Sequence, residues 1–179
     1  MVTRPTYLFL DTEWADVIGS ELVSIALVSE DGTKEFYAER DPLPPFATDF
    51  VRHAVYPRLD RGAAAVSDAA MTAALRRFLA TIHQPYVLAD YPLDLQLLKY
   101  VLGGFDLPDA DAAACGPIPS PVMTLMVREG LVTVLIEDWF AAHPNEAKRR
   151  HNALIDARAL RMAWMAATGR IDPHWSTRR

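Results

Sequence analysis

The chain has 179 residues, 51% of them apolar, enough for one domain to bury a core without disulfide or metal staples. Its single cysteine, Cys115, excludes an intramolecular disulfide and a cysteine-rich zinc site. The formal charge of −5 argues against a broadly basic surface for nucleic acid, and no stretch approaches the roughly 20 apolar residues that span a bilayer. The N-terminus lacks a signal-peptide pattern. These features together lead us to expect a soluble cytoplasmic protein with no membrane association.

In chain order, Tyr7 to Leu10 is a continuous apolar run suited to a central strand. Glu21 to Val28 reads as a second strand, and the turn signal Asp31-Gly32 lets Lys34 to Ala38 pair back as a hairpin. Pro42, Pro44 and Pro45 mark a loop, and Phe46 to Leu59 can hold a short helix. Ser67-Asp68 can cap a helix to about Ile82, in which Met71, Leu75, Phe78, Leu79 and Ile82 share one face. Tyr86 to Ala89 is a short strand, and Pro92 opens a helix that runs to about Leu102, before Gly103-Gly104. Asp106 to Pro121 reads as irregular, Glu129 to Ala142 as helical, and Asn152 as the cap of a last helix ending near Gly169. Beyond it lies a polar tail, expected to be mobile. This order predicts a single α/β domain over 1–179, with its core at about 6–168. There is no Gly-x-Gly-x-x-Gly and no Gly-Lys-Ser/Thr phosphate loop, so nucleotide-cofactor folds have no local support.

Three segments carry candidate chemistry. In Phe9-Leu10-Asp11-Thr12-Glu13, strand alternation points Asp11 and Glu13 to one face, where the two carboxylates repel unless a cation lies between them. Hard oxygen ligands of this kind suit magnesium or manganese. The alternative is a solvated strand end. Asp94 sits among leucines early in a helix, where favourable alignment with the helix dipole could be its whole role. Asp90, at the strand-to-helix junction, competes with it for the same assignment, with capping as its simpler explanation. In His151-Asn152-Ala153-Leu154-Ile155-Asp156, five helical steps rotate about 500°, so His151 and Asp156 diverge if both are mid-helix. They converge if His151 lies in the loop before a helix capped by Asn152.

Together the three segments resemble the DEDD exonucleases of the ribonuclease-H-like superfamily, in the branch whose last motif carries histidine. Asp11 and Glu13 match the first motif, Asp94 the second, and His151 with Asp156 the third. The tyrosine branch is excluded, because no tyrosine follows Tyr100. The short bacterial exoribonuclease-like members look nearest. Two positions depart from the pattern: Trp14-Ala15 replaces the common Thr-Gly, and Ala89-Asp90 replaces a His-Asn pair.

The resemblance implies a mixed central sheet flanked by helices, and a 3′→5′ exonuclease that releases nucleoside 5′-monophosphates from single-stranded nucleic acid, RNA favoured over DNA. It implies two divalent cations, Mg²⁺ or Mn²⁺, about 4 Å apart, on Asp11, Glu13, Asp94 and Asp156, with neutral His151 as general base. Four carboxylates balanced by two dications leave the rest of the chain near neutral, which tempers the charge argument above. Trp14 is a candidate stacking partner for a terminal base, and Arg149 and Arg150 are candidate phosphate contacts. Relatives suggest a homodimer. The competing readings are a ribonuclease-H-like endonuclease, which has no need of His151, and a catalytically silent nucleic-acid-binding domain.

Overall fold

The computed structural model describes residues 4–127 and 130–176. The chain is α/β, with a six-stranded mixed sheet flanked by helices, an arrangement compatible with the ribonuclease-H-like fold. Strands β1 (Thr6–Trp14), β2 (Leu22–Ser29) and β3 (Glu35–Arg40) form an antiparallel meander. The two-residue β4 (Ala65–Val66) pairs parallel to β3, while β5 (Pro85–Ala89) and β6 (Met123–Met126) run parallel to β1 on its other side. The sheet order is β4-β3-β2-β1-β5-β6. Among the described residues, no helix is long and apolar enough to cross a membrane.

Alternation along β1 divides the core. Leu8 and Leu10 pack against Met71, Leu75 and Leu79 of α1 (Asp68–Ala80) and Leu98 and Val101 of α2 (Pro92–Gly103). Phe9 faces the opposite way, onto Leu135 of α4 (Gly130–Ala142) and Leu160, Ala163 and Trp164 of α6 (Ala153–Ala167). Asp11 and Glu13 continue the Phe9 side. Small residues then decide how near α6 comes. Ala153 and Ala157 lie against Ala26 and Val28 of β2, and all four are essentially solvent-free. Since Ala26 is the cross-strand partner of Asp11, this close approach carries Asp156, the neighbour of Ala157, to the β1 carboxylates.

Several elements differ from the sequence reading. The span expected to be irregular contains α3 (Asp109–Ala114), a turn and a half of alanine-rich helix behind Pro108, in keeping with the high helix propensity of alanine. Strand β6 follows it; it was not anticipated, because the strand it pairs with, β5, is remote in sequence. The short helix expected within Phe46 to Leu59 is present, as a wide helical turn at Val51–Val55 that tightens at Tyr56–Arg58, around Pro57. A short α5 (Pro144–Ala147) precedes the basic run, and Glu129, expected to open α4, lies outside the described residues. The tail is anchored as far as it is described. Trp175 packs on the cluster of Trp139, Phe140, Ile155 and Ala159, and Ser176 Oγ donates to Asp138 at 2.6 Å.

Two substitutions separate core stability from placement of α6. Leu8→Ala should cost about 2–5 kcal/mol in denaturant unfolding, the range for emptying a buried leucine site, and leave any cation-induced stabilisation intact. Ala157→Leu should cost about 1–3 kcal/mol by overpacking and also blunt that stabilisation, because it lifts Asp156 away from β1. Equal cation responses in the two variants would contradict this account of α6.

Candidate metal centre

Asp11, Glu13, Asp90, Asp94 and Asp156 converge at the carboxyl ends of the neighbouring parallel strands β1 and β5, the usual ligand position of open α/β sheets. Their oxygens form two nests. In one, ligand atoms of Glu13, His151 and Asp156 lie within 4.8 Å of one another; in the other, those of Asp11, Asp90 and Asp94 do. At that spacing, each ionised carboxylate pair repels by roughly 3 kcal/mol at an effective dielectric of 20.

Each side chain has its own support. Asp94 is the third residue of α2, 1% exposed. Its Oδ1 accepts both the Thr12 hydroxyl at 2.6 Å and the Thr12 backbone N–H at 3.2 Å. Thr12 points away from Asp11 and Glu13 along the strand, and so ties α2 to β1 from the other face. It was not singled out in the sequence, since a threonine between two acids carries no local signal.

Asp156 Oδ2 accepts the His151 backbone N–H at 2.8 Å. His151 lies in the turn ahead of α6 with φ +72°, a left-handed conformation that costs a non-glycine residue roughly 1–3 kcal/mol. The next residue holds that turn. Asn152 is fully buried, caps α6 by accepting from Leu154 N, and donates from Nδ2 to the Tyr37 hydroxyl at 3.0 Å and the Arg58 carbonyl at 2.9 Å. Tyr37 in turn donates to the buried Glu39 at 2.6 Å. Thus His151 and Asp156 meet because the histidine precedes the helix, the second of the two geometries open in the sequence.

Other oxygens of the cluster lack donors. Asp11 Oδ2 and Asp156 Oδ1 are buried with no hydrogen-bond partner. Glu13 is 9% exposed and makes no hydrogen bond or ion pair among the described residues. Such groups are costly to bury unless neutralised or bound to a cation, and a set of carboxylate oxygens with one imidazole nitrogen fits that need. The acidic groups of this chain can therefore hold metal.

Burial, reinforced by Asp156, Asp94, Glu13 and Asp90, pushes the Asp11 carboxyl well above its ordinary range. Burial first, then the charges of Asp156 and Asp94, raises Glu13 to about 8. Burial also raises Asp94 and Asp156 to about 7, although Thr12 lowers the former and the His151 N–H lowers the latter. Burial lowers His151, with the Arg150 and Arg58 charges acting in the same direction.

The surroundings comprise two cavities that share His151. One, of about 160 Å³, is lined by Asp11, Asp90, Arg150, His151, Asp156 and apolar residues of α4 and α6. The other, of about 510 Å³, is lined by Glu13, Trp14, Thr48, Phe50 and His151 among others. A shift of strand register directly after Glu13 turns Trp14 out of the alternation, and its ring stacks on Tyr91 at 5.6 Å and 12°. Phe50 meets the His151 ring edge-on at 5.0 Å. Phe50 and Tyr91 are about half exposed. Neither was anticipated, because their position depends on the turns after β3 and β5.

The basic run behaves differently from a free patch. Arg149 pairs with Asp60, and Arg150 pairs with Glu137 at 2.5 Å while lying 4.9 Å over the Phe140 ring. Only Arg150 of the two lines the carboxylate cavity. Arg58, not singled out in the sequence, donates to the Ala54 and Lys148 carbonyls and pairs with no carboxylate among the described residues. Its charge lowers Glu13 and Asp156. A further cavity of about 360 Å³ beside Pro42 and Pro44 lies away from this chemistry, and its Arg40 is committed to Asp68 and Glu21. No known family model matches the chain, and no curated protein matches it.

The raised carboxyls set a sign for stability against pH. Glu13, Asp94 and Asp156 hold protons in the folded state up to about 7–8, whereas unfolded carboxyls release them near 4. The folded state binds more protons between those limits, so stability falls as pH rises through them. His151 acts oppositely below its ordinary 6.5, as one group against three. Chelator-treated protein should melt at a lower temperature at pH 8.5 than at pH 5.5, and excess divalent cation should remove most of the difference. A flat or rising profile in chelator would show that the carboxyls are not coupled in this way.

Proposed function

We propose that the chain is a metal-dependent 3′→5′ exonuclease acting on single-stranded nucleic acid, RNA favoured, by two-cation hydrolysis with His151 as general base. The observation that carries this reading is the convergence of Asp11, Glu13, Asp94 and Asp156 beside His151, with buried carboxylate oxygens left without donors. The order of these residues in the chain is that of the histidine-branch DEDD exonucleases, which they resemble. The donors are carboxylate oxygens, with no thiolate among them, so the set favours hard divalent cations such as Mg²⁺ or Mn²⁺. When bound, such cations would acidify a water and neutralise charge on the phosphoryl group.

The chain's own residues supply the rest. Burial and two neighbouring guanidinium groups keep His151 neutral near pH 7, so its free ring nitrogen can take a proton from the attacking water. The hydroxyl joins phosphorus as the bond to the 3′ oxygen breaks. That oxygen takes a proton from solvent, and His151 returns its own to solvent, leaving a nucleoside 5′-monophosphate. The 510 Å³ cavity beside Glu13 is within the range for small ligands, roughly 300–1,000 Å³. Trp14 and Phe50 line it and offer faces for a terminal base, a contact worth about 1–3 kcal/mol in single-strand binders.

On a 5′-labelled single strand with Mn²⁺ or Mg²⁺, products should shorten one nucleotide at a time, and chelator should stop the reaction. His151→Ala should lose roughly 10²–10⁴-fold in rate while still binding cation. First cuts inside the strand would favour the endonuclease reading, and absence of cleavage with cation bound would favour the silent binding domain.

A further inference from the structure

We infer that Asp90 is a fifth carboxylate ligand, and that this chain therefore holds its second divalent cation on three protein carboxylates before any nucleic acid arrives. The inference rests on the two-cation reading above and extends it. The resemblance assigns four carboxylates to the centre, and Asp90 is not among them. Yet Asp90 offers an oxygen within 4.8 Å of those of both Asp11 and Asp94. A separate observation concerns the same carboxylate pair: Asp11 Oδ2 is buried and without a partner among the described residues, and Asp11 and Asp90 line one cavity.

Asp90 has no competing task. The cap position of α2 is Tyr91, and no side chain caps that helix, so the capping explanation is not met. The Asp90 carboxyl forms no ion pair among the described residues, and only its own backbone N–H acts to lower its pKa. Arg150, on the same cavity wall, is bound to Glu137. Thr12 fixes the orientation of the Asp94 carboxyl through Oδ1.

The chemical consequence follows from ligand count. A small hard cation held by one or two carboxylates ordinarily completes its shell with waters and substrate phosphates. A third carboxylate supplies charge that phosphate would otherwise bring, so binding no longer waits for substrate. Five carboxylates against two dications leave one negative charge, near the guanidinium of Arg58, which pairs with no carboxylate among the described residues, and that of Arg150, which is paired with Glu137.

The test is titration of Mn²⁺ into chelator-treated, dialysed protein without nucleic acid, with free Mn²⁺ followed by electron paramagnetic resonance and heat by calorimetry. The unsubstituted protein should bind two Mn²⁺. Asp90→Asn should weaken one site by roughly tenfold or more, at least the loss seen when a metal's supporting residues are removed, and leave the other unchanged. Glu13→Gln should do the converse. Asp90→Ala should repeat the Asp90→Asn result, and both should melt in chelator no lower than the parent, since a repelling charge has gone. If Asp90→Asn and Asp90→Ala keep both sites at parental affinity, or if the parent binds only one Mn²⁺ without nucleic acid, the inference is overturned while a metal centre stands. If the parent binds none, the metal centre itself falls.

Discussion

Carboxylate crowding at the end of β1 is the constraint around which the rest of this molecule is arranged. Burial pushes Asp11, Glu13, Asp94 and Asp156 toward protonation, with the charges of Asp156 and Asp94 adding to it at Asp11 and Glu13 and that of Asp90 at Asp11, Asp94 and Asp156, and among the described residues none forms an ion pair. A fold does not hold such a group by chance geometry. Here it is held from three sides: by the alternation of β1, by the two Thr12 donations that fix Asp94, and by the alanine contact that lets α6 press on β2. Loss of any of these would let the charges relax apart into water, which is the lower-energy arrangement without a cation.

The loop that carries His151 shows the same logic on a smaller scale. Its left-handed backbone is unfavourable locally, and it is kept by a chain of buried polar contacts running from Glu39 through Tyr37 to Asn152. That chain starts on β3, two strands away from β1. The histidine is thus placed by the sheet rather than by its own helix, and it ends between a carboxylate nest and an aromatic-lined cavity. Charges around the site follow a parallel division. Arg149 and Arg150 are bound to acidic residues, whereas Arg58 is held by backbone carbonyls and its field extends to Glu13, Asp156 and His151.

Much of this was legible in the chain. The buried strands announced themselves by apolar runs, α1 by its periodic face, and α6 by Asn152, because each of these signals is local and repeats within a few residues. The pairing of Asp11 with Glu13 needed only the two-residue period of a strand. What depends on distant partners was not legible: β6, which exists through pairing with β5, and the wide, irregular form of the short helix at 51–58, where Val51 and Val55 pack on Ala15 and Val23.

The sequence by itself determined which groups could do chemistry here, since carboxylates, an imidazole and their spacing are covalent facts. Only the tertiary structure decided between the two geometries open to His151 and Asp156, brought Thr12 and Arg58 into the site, and set Asp90 beside Asp94 instead of leaving one of them a helix cap. The reason is physical. Ligand geometry is a matter of distances between segments up to 145 residues apart, as from Asp11 to Asp156, and those distances are set by how closely small residues allow α6 to approach the sheet.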